Sequence, residues 1–152
     1  MQDIEYNKAI VRRTWEEVFP ACDVDALDSM VALDVESRGR RPDEPGGIDG
    51  LKQTLRWLHT VFTDQRWEIH DLLAEDDVVA CRLTHHGRHT GDLMGIPPTG
   101  REVAYQYVHF FRFADGKVVE QWSVRDDMTL MRQLGVVSTP GRPSAAPVAQ
   151  AI

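Results

Sequence analysis

The stretch YQYVHFF, residues 105–111, places one imidazole, His109, among aromatic rings. A two-residue period puts His109 on the same strand face as Tyr105, Tyr107 and Phe111. An imidazole so placed can be a satisfied core group. Partly enclosed, it is also the usual general acid or base, because it titrates near neutrality. The following segment, KVVEQWSVRD, offers Glu120, Trp122 and Asp126 on one parity and Gln121, Ser123 and Arg125 on the other. A carboxylate beside His109 would orient the ring or share its proton. Which parity meets His109 depends on the turn at Asp115-Gly116. A two-residue turn pairs Ala114 with Lys117 and sets His109 opposite Trp122 and Tyr105 opposite Asp126. A three-residue turn with Gly116 left-handed sets His109 opposite Gln121 and Tyr107 opposite Ser123. Both are allowed, and a one-residue slip exchanges the whole set.

A second cluster is HHGRHTGDLMGIPPTGR, residues 85–101. On a strand His85 and His89 share a face about 13 Å apart, at roughly 3.3 Å per residue. His86 points the other way. Zinc needs its donors converging within about 2 Å of one ion, so no metal site is expected. His85 and His86 read as surface or packing residues, and His89, next to the loop, as a ligand contact. In the loop itself Pro97 and Pro98 fix backbone dihedrals, and Gly95 and Gly100 permit turns. Its apolar members Leu93, Met94 and Ile96 suit a pocket mouth, a subunit contact or plain loop packing.

These residues need a frame. Residues 5–19 carry apolar groups at helical spacing up to Pro20, with Trp15 and Phe19 expected in the core. A short helix over 25–31, capped by Asp23 or Asp25, precedes a short strand in VALDVESRG. A helix opening at Asp49 or Gly50 carries the stripe Leu51, Leu55, Leu58 and Val61 or Phe62. Beyond Phe62 the period changes from 3.6 to 2, and four strands are expected in WEIHDLLAE, DVVACRLTHHGRH, REVAYQYVHFFRF and KVVEQWSVRD. A closing helix, MTLMRQLGV, ends at Gly135. The pattern is α+β: helices, a long antiparallel meander, one more helix. Residues 1–136 are read as one domain and 137–152 as a flexible tail.

Composition bounds the function. The 152 residues are 42% hydrophobic and 27% charged, as in a globular protein. The net charge of -7 argues against nucleic acid and anionic lipid as partners. The apolar runs are too short to span a bilayer. The start MQDIEYNKAI has no signal core, and Cys22 and Cys81 build no disulfide framework, so a cytoplasmic location is expected.

The most specific segments, GRHTGDLMGIPPTGR (87–101), YVHFFRFADGKVVEQW (107–122) and MRQLG (131–135), resemble the SnoaL-like polyketide cyclases of the NTF2-like superfamily. The likeness runs over residues 6 to 136. It implies a cone-shaped, curved antiparallel sheet packed against helices, with a ligand cavity inside, in a homodimer or homotetramer. It also implies an intramolecular aldol closure of an aromatic polyketide ring, with no metal and no cofactor. A carboxylate would deprotonate an activated methylene, and the enolate would attack a ketone. Carried onto this chain, the histidine that attends the substrate oxygen falls on His109, while the base position falls on Ser123. A lone serine is a poor base, so Asp126 and Glu120 stand as the carboxylate candidates. Substrate-binding candidates are Tyr105, Tyr107, Trp122, His89, Trp57, Phe111 and Met94, the rings suiting a planar ligand. The expected function is a cyclase or isomerase acting on a small hydrophobic, aromatic polyketide. The alternatives are a relative assisting polyketide hydroxylation, or a binding domain without catalysis.

Overall fold

The computed structural model describes residues 3–40 and 42–138. Most of the expected tail, from residue 139 on, lies outside the described residues.

The chain opens with α1 (Ile4–Arg13), whose first turn is capped by the Asp3 carboxylate accepting from the Tyr6 N–H. It runs on through a π-helical turn (Thr14–Val18) into the short α2 (Phe19–Ala21). A 3₁₀ turn (Val24–Ala26), capped by Asp23, leads into α3 (Leu27–Met30) and β1 (Val31–Ser37). Then come α4 (Gly47–Val61), β2 (Phe62–Glu75), β3 (Val78–His89), β4 (Glu102–Ala114), β5 (Lys117–Arg125) and α5 (Asp127–Gln133). The expected elements are present with several boundaries moved: the first helical run passes through Pro20 to Ala21, and α5 ends at Gln133, short of Gly135. Helix α4 begins at Gly47, ahead of Asp49, and β2 begins at Phe62, five residues before Trp67.

The sheet order is β1-β5-β4-β3-β2. Strands β2 to β5 form the expected antiparallel meander, but β1 adds to β5 in parallel. The expected antiparallel cone around a ligand cavity is therefore corrected on two counts. First, the sheet is mixed and open, because β1 and β2 end it without pairing to each other. Helix α4 packs on both edge strands and carries the chain from one to the other. Second, the helix-covered face is filled by side chains. The π-helical turn seats Trp15, 1% exposed, against Tyr107, His109 and Phe111 of β4 at centroid separations of 5.9, 5.3 and 6.0 Å. Phe19 and Trp67 close the same layer, 5.4 Å apart and edge to face. Such pairs add about 0.5–1.5 kcal/mol each beyond the area they bury. Space that could have been cavity is core, and Trp15 and Phe19 lie in it as expected.

The register of the β4–β5 hairpin is neither of the two expected, which set His109 opposite Trp122 or opposite Gln121. Asp115 (φ 52°) and Gly116 (φ 77°) make a two-residue turn with both central residues left-handed, and Ala114 pairs with Lys117. Phe113 then pairs with Val118 but Arg112 with Glu120, so Val119 is a bulge. That extra residue flips the parity of everything beyond it. His109 ends opposite Ser123, Phe111 opposite Gln121 and Tyr107 opposite Arg125.

Candidate active site

A pocket of about 130 Å³ opens where the end of α4, the loop 90–100, β4 and α5 meet. Its apolar wall is Trp57, Leu58, Phe62, Leu93, Met94, Leu130 and Met131, and its polar groups are Tyr105, Arg125 and Asp127. A second hollow, about 390 Å³, lies where β3 ends and β4 begins, among Asp64, His86, Arg88, Glu102 and Gln133, and is lined by no Phe, Tyr or Trp. An apolar wall with few convergent polar groups is the usual form of a small-molecule site, which favours the smaller pocket.

Each element contributes for a local reason. Gly91 lets the end of β3 touch the end of α4, since a Cβ there would sit 1.8 Å from the Thr60 carbonyl oxygen. From that junction the loop projects a tight turn. Leu93 and Ile96 exchange both backbone hydrogen bonds at 2.9 Å, with Met94 (φ 46°) and Gly95 (φ 94°) between them. Met94, 62% exposed, thus stands at the pocket mouth. His89 is fully buried and pins the loop from beneath, Nδ1 accepting from the Thr99 N–H at 3.2 Å. It is not among the residues that line the pocket.

The floor is a hydrogen-bonded chain. His85 is 1% exposed, stacked on Trp67 at 4.6 Å, and bonded through Nε2 to the Gln65 amide oxygen at 2.9 Å. That oxygen only accepts, so Nε2 donates, and Nδ1 accepts the Tyr105 hydroxyl at 2.9 Å. Burial lowers the His85 pKa to about 3, so the ring is neutral. Burial raises the Tyr105 hydroxyl to about 12. The structure therefore makes His85 a positioning group for a pocket residue.

His109 lies four residues further along β4, about 13 Å from Tyr105, and does not line the pocket. It is half-buried, stacked on Phe111 at 4.4 Å. Its Nε2 donates to the Gln121 amide oxygen at 3.2 Å, and Gln121 donates on to the Ser37 hydroxyl at 3.0 Å. Nδ1 is buried and makes no hydrogen bond among the described residues. Burial lowers the His109 pKa to about 4, against the raising effect of the Gln121 bond, leaving an unpaired lone pair on a neutral ring.

The carboxylate candidates sit elsewhere. Asp126 is exposed and caps α5, accepting from the Thr129 N–H at 3.1 Å and the Thr129 hydroxyl at 2.6 Å, which lowers its pKa. Glu120 faces away from His109 and pairs with Arg38 at 2.8 Å and Arg112 at 3.4 Å, and these pairings lower its pKa. Ser123 is exposed opposite His109. Trp122 lies on the outer face, stacked flat on Phe110 at 5.1 Å. Tyr107 and Phe111 are buried against Trp15. Of the sequence candidates, Tyr105, Trp57 and Met94 come together in the pocket. Arg125 and Asp127 were missed as site residues. Arg125 was visible on the Ser123 parity, but nothing in its own strand reports the bulge that turns it to this side.

His86 bonds Glu68 at 3.0 Å on the outer face, away from His85. No group of three or more His, Cys, Asp or Glu able to hold a metal ion exists among the described residues. No helix among them is long and apolar enough to cross a membrane.

Three similarities bear on this site. The chain is 27% identical over 130 residues to an aklanonic acid methyl ester cyclase of Streptomyces peucetius, covering 83% of this chain and 88% of that one. It is 32% identical over 90 residues to a nogalonic acid methyl ester cyclase of Streptomyces nogalater, covering 59% and 67% respectively. Its fold superposes on TsrD of Streptomyces laurentii with a TM-score of 0.83 at 25% identity, over 90% of this chain and all of that one. The SnoaL-like polyketide cyclase family model matches residues 9–134, so the chain belongs to that family.

Proposed function

We propose that the protein is a cyclase that closes a ring in a small aromatic polyketide ester by acid–base catalysis. The carrying observation is the pocket itself: Trp57, Phe62 and a Leu/Met wall face three polar groups at the meeting of β4, β5 and α5. That composition suits one flat, mostly apolar ring and its oxygens, the part of a polyketide that a pocket of about 130 Å³ can enclose. Family membership and the two ester cyclases among the relatives supply the reaction class. The step is an isomerisation. A methylene C–H bond breaks and leaves an enolate, a C–C bond forms as the ketone π bond opens, and one proton returns to the alkoxide. Holding both reacting carbons in one apolar slot supplies much of the rate.

His109, about 13 Å along β4 from Tyr105 and outside the pocket, is proposed as a positioning group that acts on the site through the packing of β4 against Trp15. A homodimer or homotetramer is proposed on the family resemblance, and a cytoplasmic location on the free thiols of Cys22 and Cys81.

The test is incubation with aklanonic acid methyl ester, the substrate named for the S. peucetius relative. The expected product has the same mass and a shifted chromatographic retention. Quantitative recovery of unchanged ester under conditions where a characterised ester cyclase converts it would refute this reading.

A further inference from the structure

The base position that the family resemblance assigns holds Ser123 in this chain, and the nearest sequence carboxylate, Asp126, is engaged in capping α5. Asp127 is different. It lines the pocket beside Arg125, with Oδ1 3.4 Å from Arg125 Nε. Both side chains keep more than half their surface open, at 57% for Asp127 and 54% for Arg125. The bulge at Val119 aims Arg125 here, and the turn into α5 that Asp126 caps delivers Asp127 to the same place.

We propose that Asp127 is the pocket's proton acceptor, taking a proton from an activated methylene of the substrate while Arg125 offsets the charge that develops on the enolate oxygen. The inference rests on the cyclase reading above. It follows by chemistry from the pocket's three polar residues. Arginine does not give up its proton near neutrality. Tyr105 already spends its hydroxyl hydrogen on His85, and a neutral phenol is a poor base. A carboxylate is the remaining group with a lone pair suited to the task.

The step balances. The methylene C–H bond breaks, its proton goes to the Asp127 carboxylate and its electron pair becomes the enolate. The enolate carbon bonds to the ketone carbon, and the π pair moves onto the ketone oxygen. That alkoxide takes the proton back from Asp127, so no net proton is gained or lost. Arg125 stands where the fixed positive charge is useful, next to oxygens that become negative during the reaction.

The experiment compares wild type, Asp127→Asn and Asp127→Glu on aklanonic acid methyl ester, with circular dichroism and thermal unfolding to confirm folding. Asp127→Asn is expected to lower kcat about 100-fold or more with KM within about threefold, and Asp127→Glu to restore part of the rate. A folded Asp127→Asn variant within threefold of wild type overturns the role of Asp127 and leaves the cyclase reading standing. A wild type inert toward the ester removes the cyclase reading, and the role of Asp127 with it.

Discussion

Acidification between pH 7.5 and 5 should destabilise the protein mainly through two histidines. His85 is held neutral by burial, with its pKa lowered from 6.5 to about 3, and His109 likewise to about 4. In the unfolded chain both protonate as the pH falls through 6.5, while in the folded protein they stay neutral to much lower pH. The unfolded state therefore binds more protons, so stability is full above pH 6.5 and falls as the pH drops below it. At pH 5 each histidine costs about 2 kcal/mol relative to pH 7.5, together about 4 kcal/mol. That is a large share of the roughly 5–15 kcal/mol typical of a domain. Urea unfolding followed by tryptophan fluorescence reads this directly, since Trp15 and Trp67 are buried. Stopping at pH 5 keeps clear of the carboxylates whose pKa values the fold lowers, Glu68, Glu120 and Asp126. His85→Gln removes one of the two titrations and should roughly halve the loss. A wild-type change under about 1 kcal/mol, or an identical pH slope in the variant, would refute the reasoning.

Two further outcomes are expected. His109→Ala should lower turnover more than ligand affinity, measured as kcat against Kd; an affinity loss with the rate intact would remove His109 from the chemistry. Gly91→Ala places a Cβ 1.8 Å from the Thr60 carbonyl oxygen and should cost about 3 kcal/mol or more, whereas Gly95→Ala meets open space and should cost about 1–2 kcal/mol through its left-handed φ. Denaturant midpoints that rank Gly95→Ala as the more damaging would contradict that packing account.

Much of this molecule was legible from local chemistry. Alternation of apolar and polar residues marked the four-strand meander, helical spacing marked the stretch that carries Trp15, and the segments around His109 marked the family. Those signals are short-range, set by which side chains a strand or helix must bury, and so they survive without coordinates. Tyr105, Trp57 and Met94, chosen from the sequence as candidates to contact a flat ligand, meet in one pocket.

The rest depended on contacts between elements distant in sequence. One bulged residue, Val119, decided that Gln121, Ser123 and Arg125 share a face with His109 and that Glu120 and Trp122 do not. A bulge is a compromise between a tight turn and side-chain packing, so neither strand encodes it alone. The parallel addition of β1 depended on α4 packing on both edges of the sheet, and the filling of the core depended on the π-helical turn that seats Trp15. Adjacent aspartates received opposite placements for the same kind of reason. Asp126 bonds to Thr129, while its neighbour Asp127 reaches the pocket beside Arg125. The types of the reactive groups were sequence information; their convergence was tertiary, because it required β4, β5 and α5 to meet at one point.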